Sequence, residues 1–234
     1  MGGASSPALA GPPFVTDDPE PTGAGHWENY LYSQGASTAG QSLRAQAGIE
    51  INYGAADNTQ LSFRAPLNPD PGPGGMGTVW SALGGGMKYR FVQEDVHGWR
   101  PQVGIFPQVS IPVGPLNRGA AVTTLLPIWL QKSMGKWTTC GGGGYTFNPG
   151  TGNRNFLIYG WALQRQLTTR LSSGVEVFGQ TSDSAHDRSA TAVGIASQYD
   201  FSSLWHIVVS VNTGVAAASQ SDRYSYNLAL KWTP

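Results

Sequence analysis

The stretch Gln41–Leu67, QSLRAQAGIEINYGAADNTQLSFRAPL, decides how the rest of the chain is read. Leu43, Ala45, Ala47, Ile49, Ile51 and Tyr53 are apolar at every second position. Ser42, Arg44, Gln46, Gly48, Glu50 and Asn52 lie between them. After the turn-rich GAADN the alternation returns, with Leu61, Phe63, Ala65 and Leu67 set against Gln60, Ser62, Arg64 and Pro66. A period of two places successive side chains on opposite faces of a strand, so this is a hairpin with one apolar and one polar face. Its first strand exceeds the ~5 or 6 residues usual in soluble sheets and approaches the roughly 9 to 11 that a tilted strand needs to cross a bilayer.

The same pattern recurs about twelve times from His26 to the C-terminus. Clear instances are Val79–Gln93, the stretch from Trp99 to Val113, the alternation of Trp205, Ile207, Val209 and Val211, and that of Tyr224, Tyr226, Leu228, Leu230 and Trp232. Two places break it. Pro101 and Pro107 remove ladder donors, which predicts bulges or a local break. In Asn155–Leu167, Phe156 and Ile158 disagree in parity with Tyr159, Trp161 and Leu163, and a bulge near Gly160 would reconcile them.

Connections alternate in length. Short ones fall near Ala55–Asn58, Asp95–Gly98, Ser133–Gly135, Thr168–Arg170 and Asp200–Leu204. Longer ones fall near Gly35–Gly40, Asn68–Thr78, Gly114–Ala121, Asn148–Arg154, Ser182–Arg188 and Gly214–Asp222. This asymmetry, with an even strand number and both termini at the tight-turn end, predicts an all-β fold. The expectation is a single antiparallel transmembrane β-barrel over 26–234, with short periplasmic turns and longer extracellular loops.

Composition agrees. Of 234 residues 32 are Gly and only 12 % are charged, while 40 % are apolar, which is not the signature of disorder. No run of about 18 apolar residues suggests a membrane helix, a test that barrel strands never meet. Fourteen basic and 14 acidic residues leave no excess for a phosphate backbone, so nucleic acid is not an expected partner. Cys140, the single cysteine, permits no internal disulfide or Cys-based zinc site and reads as a small buried or lumen-facing side chain.

Residues 1–25 read as an extended lead-in. Ala8-Leu9-Ala10 has the form of a leader cleavage site, so 1–10 is read as a remnant of a signal peptide, a late start or a loose tail. MGGASS also fits the N-myristoylation pattern, cheaply, because five small residues match it. GPPFVTDDPEPTGAG has four prolines and no period, and Asp17, Asp18 and Glu20 are expected to form a solvated acidic tail, since nothing at calcium-loop spacing follows.

The polar parity collects Arg44, Glu50, Arg64, Lys88, Arg90, Arg100, Gln108, Glu176 and Gln180, with Gln102 beside them. In a closed barrel these face the lumen, because a basic side chain at the lipid midplane costs roughly 2 to 4 kcal/mol. There they either pair into ladders that narrow the lumen or line a selective polar path. Trp27, Trp99, Trp137, Trp205 and Trp232, near strand ends, suit an interfacial aromatic girdle. The runs Gly84–Gly86 and Gly141–Gly144 lack the Lys-Ser/Thr of a phosphate loop and instead suit curvature or lumen space. His206 and Ser210 share a strand face two pleats apart, too far for a direct hydrogen bond. With no nucleophile motif and no metal motif, no catalytic residue, metal site or cofactor is assigned.

Several strings also carry a resemblance. GPPFVTDDPEP, INYG, KYRFVQE, FPQVSIPVG, LPIWLQKS, WTTCGGGGY, NPGTGNRN and LQRQL are similar to outer-membrane transporters of the MetA-pathway of phenol degradation family, over nearly the whole chain from Gly11 to Trp232. The resemblance implies an outer-membrane barrel that passes small, aromatic or otherwise apolar, organic molecules. It supplies no catalytic or binding motif. The expected partners are outer-membrane lipid and lipopolysaccharide, the barrel-insertion machinery through the C-terminal strand, and small organic solutes. A structural or adhesive barrel with a plugged lumen and partner-binding loops is the alternative.

Overall fold

A computed structural model describes residues 13–38, 42–69, 78–114, 117, 119–217 and 222–234. The leader remnant expected at 1–10, the myristoylation pattern and most of the connection 68–78 lie outside the described residues. Fourteen strands run in order: β1 Trp27–Thr38, β2 Arg44–Ala56, β3 Thr59–Pro69, β4 Thr78–Trp80, β5 Ala82–Val92, β6 Gln102–Ile105 and β7 Gln108–Pro112. They continue with β8 Thr123–Met134, β9 Trp137–Phe147, β10 Phe156–Gln166, β11 Leu171–Gln180, β12 Ala190–Asp200, β13 Trp205–Ala216 and β14 Asp222–Trp232. All the pairings are antiparallel, each strand hydrogen-bonds its sequence neighbour except across the breaks between β4 and β5 and between β6 and β7, and β1 pairs with β14 to close the sheet.

Fourteen segments make twelve staves. Strands β4 and β5 form one stave interrupted at Ser81, and both pair with β3. Strands β6 and β7 form another, interrupted at Phe106-Pro107, and both pair with β5 and β8. Pro107 has no N–H to give the ladder, so the stave breaks where the sequence predicts a break. The bulge expected near Gly160 is absent. Register runs unbroken from Phe156↔Thr146 to Arg165↔Trp137 on one side of β10 and from Ile158↔Gln180 to Gln166↔Ser172 on the other. Phe156 and Ile158 keep the inward parity because their inward neighbours on β9, Thr146 and Gly144, leave room for them.

The outer face carries Leu61, Phe63, Ile128, Val175, Ile195, Val211 and Leu228, all highly exposed. A belt of apolar side chains that no protein atom covers is what a barrel presents to lipid. Among the described residues no helix is long and apolar enough to cross a membrane. Crossing falls to the strands.

The acidic lead-in is not a solvated tail. Phe14, Thr16 and Asp17 are buried, and Pro19 is among the most deeply covered residues. Residues 13–22 lie inside the barrel, running from mid-wall at Phe14 toward the tight-turn end, where 23–25 are exposed and Gly25 and Gly54 join the start of β1 to β2 by backbone bonds. The physical reason is charge. The inner wall carries the buried Lys88 and the half-buried Arg90, and the segment brings the carboxylates of Asp17, Asp18 and Glu20 to them.

Candidate functional site: an occupied lumen

Three wall side chains hold the segment. Glu176 on β11 accepts the backbone N–H groups of Val15 (2.9 Å) and Thr16 (3.0 Å). Lys88 on β5 donates to the carboxylates of Asp17 (3.0 Å) and Asp18 (3.4 Å). Gln60 on β3 accepts from the Thr22 backbone N–H (2.8 Å) and hydroxyl (2.9 Å). Lys88 is only 5 % exposed and Asp17 1 %. A buried ion pair of this kind is costly to break from one side, because the partner left behind stays charged and desolvated. Glu20 lies 3.9 Å from Arg90, extending the pairing toward the mouth.

Shape complements charge. Lumen-facing glycines mark the segment's path: a Cβ on Gly160 would overlap the Thr16 hydroxyl, one on Gly174 would lie 2.8 Å from Phe14 Cζ, and one on Gly104 3.0 Å from Pro19 Cβ. Phe14 itself clusters with Cys140, Ala162 and Ala196 on β9, β10 and β12. Small inward residues on β9, β10 and β12 thus form a notch that takes one aromatic ring. Within 14–22 the segment forms no strand, and the bonds that hold it there come from wall side chains, not from a ladder.

The remaining residues predicted for the lumen separate into three groups. Glu50 and Arg64 face each other across β2 and β3, 3.9 Å apart, with Arg64 also donating to Tyr32 (3.1 Å) and Gln34 (3.3 Å). Arg90 donates to Asn58 (3.0 Å) and Gln102 (2.9 Å), bracing the tight-turn end of the wall. Gln108 faces Gly86 on β5, and Gln180 donates to Asp183 (3.1 Å) near the long-loop end. Arg44 sits exposed at the start of β2, on the long-loop rim. Arg100 is outside the lumen. It falls in the exposed 93–101 connection and donates to the Gln93 carbonyl, because β6 begins only at Gln102.

Trp27, Trp137, Trp205 and Trp232 point outward at the tight-turn ends of β1, β9, β13 and β14. Trp205 stacks on Trp232 at 5.9 Å, and Trp27 lies 4.5 Å from Tyr53. Trp99 is in the same 93–101 connection as Arg100. His206 bonds Asp200 (2.7 Å) and Thr233 (3.1 Å) at that end, away from Ser210. Cys140 is buried, covered on the lumen side by the Phe14 cluster.

Sequence reasoning missed Asp17, Asp18, Phe14 and Gln60. One signal was available: the predicted wall held five bases, Arg44, Arg64, Lys88, Arg90 and Arg100, against Glu50 and Glu176, and the missing acids stood together in the lead-in.

A closed twelve-stave antiparallel barrel with an apolar outer belt and a polar, occupied interior defines a membrane β-barrel. The structure is similar to the COG4313 outer membrane channel from Pseudomonas putida F1, with TM-score 0.72 and 14 % identity over 93 % of this chain and 98 % of that one. It also matches the NanC porin (TM-score 0.62, 9 % identity, 86 % and 98 % covered) and the KdgM porin (0.59, 10 %, 87 % and 98 %). At such identities the likeness is one of fold. No curated protein matches the sequence. The profile of the family described as "Putative MetA-pathway of phenol degradation" matches residues 80–230, more than half of the chain, and the protein belongs to that family.

Proposed function

We propose that this protein is a passive channel of the bacterial outer membrane for small organic molecules, with residues 13–22 as its built-in constriction. One observation carries this reading: what fills the lumen is held there by side-chain bonds and could leave without breaking a pair of the barrel ladder. A barrel that served only as scaffold would fill its interior with wall side chains. Membership of a family named for phenol degradation, and a notch that takes the ring of Phe14, both favour ring-sized organic solutes. The tight turns and the C-terminal end of β14 face the periplasm, the outward tryptophans sit at the lipid interface against lipopolysaccharide-bearing membrane, and β14 presents the signal read by the insertion machinery. Solutes move down their gradient, and the wall carries no group assigned to catalysis.

The test is single-channel conductance in planar bilayers of the refolded full chain and of a variant lacking residues 1–22. A low, interrupted conductance that becomes larger and steady on deletion supports the channel. A folded deletion variant that stays silent favours the structural or adhesive reading, in which the loops bind partners.

A further inference from the structure

Lys88 is a buried ammonium on the lumen wall whose hydrogen-bonding partners, Asp17 and Asp18, both belong to the segment. The Phe106 ring lies 5.2 Å from its Nζ. With the segment withdrawn, the wall presents an unpaired ammonium beside an aromatic face, and such a group forms charge-assisted hydrogen bonds with carboxylates. We propose that Lys88 is a solute site for small organic carboxylates, that Asp17 and Asp18 occupy it as internal substitutes, and that an incoming carboxylate displaces them and frees the lumen. This rests on the channel reading and names its substrate class.

Two further features of the lumen support it. Beside Lys88 a cavity of about 430 Å³ reaches the tight-turn mouth, lined by Asp18, Glu20, Glu28, Glu50 and Lys231 among others, large enough for a small organic molecule. Its carboxylates outnumber its ammonium groups and repel an anion arriving from that mouth. Among the described residues the opposite rim is basic: Arg44, Arg154, Arg188 and Arg223 are exposed there, against an exposed Asp187 and an Asp183 that is buried and bonded to Gln180. The field along the axis therefore draws anions from the long-loop end toward Lys88 and leaves the acidic cavity beyond it. Exchange at Lys88 is a competition, because the tethered Asp17 acts at an effective concentration of about millimolar.

Cys140 reports the exchange without any substitution, since Phe14 covers it while the segment is seated. The full chain in lipid nanodiscs is labelled with a small uncharged maleimide in the presence of sodium benzoate, benzamide, or sodium chloride at matched ionic strength. Benzoate accelerates Cys140 labelling several-fold and saturably, reaching about nine-tenths of the limiting acceleration at ten times its half-effect concentration, while benzamide and chloride leave the rate near its basal value. Lys88→Met labels fast without addition and gains nothing from benzoate. Equal rates with benzoate and benzamide, or chloride acting as strongly as benzoate, overturn the proposal. Bilayer conductance separates this from the channel reading: benzoate-dependent labelling in a silent barrel keeps the site and removes the channel, whereas steady conductance with benzoate-indifferent labelling does the reverse.

Discussion

Glu176 on β11 accepts hydrogen bonds from two consecutive backbone N–H groups, those of Val15 and Thr16, across more than 150 residues of sequence. Its carboxylate is a clamp on the lumen segment. Hydrogen bonds to a charged group each contribute about 1.5–3 kcal/mol, and about 1.4 kcal/mol is a factor of ten in a population. Glu176→Ala therefore lowers the ratio of seated to unseated segment at least ~tenfold. The expected record in a planar bilayer is a rise in open probability of that order with the full-open current unchanged, whereas a change in current without a change in open time would place Glu176 in the permeation path only.

Gly160 and Thr16 touch so closely that a side chain on the glycine has nowhere to go. The atoms nearest its missing Cβ all belong to Thr16, with Thr16 Cβ itself at 3.0 Å, so Gly160→Ala disturbs the segment and not the ladder. The expected outcome is raised conductance and faster Cys140 labelling at normal folded yield. Because the conflict is pairwise, the double variant Thr16→Gly/Gly160→Ala returns both toward wild type, and a double-mutant cycle measures the coupling. Additive effects of the two substitutions would mean that the contact does not seat the segment.

The barrel was legible in the sequence because its cause is local. An inward or outward position follows from parity, and parity is visible residue by residue in Leu43–Tyr53 or Tyr224–Trp232. Phe156 and Ile158 misled for the complementary reason: apolar residues sit on the inward face when Gly144 and Thr146 leave them space, and that space is a property of a neighbouring strand. The lumen segment was illegible for a stronger version of the same reason. Phe14 and Asp17 find their partners on β5, β9, β10 and β12, and no period in GPPFVTDDPEP announces a partner so distant in sequence. Only the charge imbalance of the wall could have pointed to it.

Glu94 lies in the connection after β5, beyond the strands, where it accepts from Lys132 Nζ (2.9 Å) and the Ser133 backbone N–H (2.7 Å). Burial pushes its carboxyl up, but the bonds from Lys132 and Ser133 outweigh this and hold it below its ordinary value of 4.5. A lowered folded-state value means that the stabilisation is fully present above the ordinary value and is lost as pH falls through the lowered one. Thermal unfolding of the wild type at pH 7 and at pH 3 should therefore show a larger loss on acidification than in Glu94→Gln, which lacks the titrating group. Equal losses would show that this corner does not contribute to acid sensitivity.

Leu228 and Leu230 lie outward on β14, opposite Ser33 and Leu31 of β1 across the strand pair that closes the barrel. Between them in sequence, Ala229 faces inward and is buried, and Asn227 is buried on the same inner side. The two faces of one strand therefore predict opposite tolerance. A charge on the lipid side costs up to about 2–4 kcal/mol at the midplane, and here it falls on the seam where β14 pairs with β1 to close the barrel. Leu228→Asp and Leu230→Asp should each reduce the folded, heat-modifiable yield in lipid vesicles severely. Asn227→Asp, which puts the same carboxylate one residue away but toward the polar interior, should fold near normally. Normal yields for the two leucine variants would refute the outward assignment of β14, while equal failure of all three would show that the strand tolerates no charge on either face.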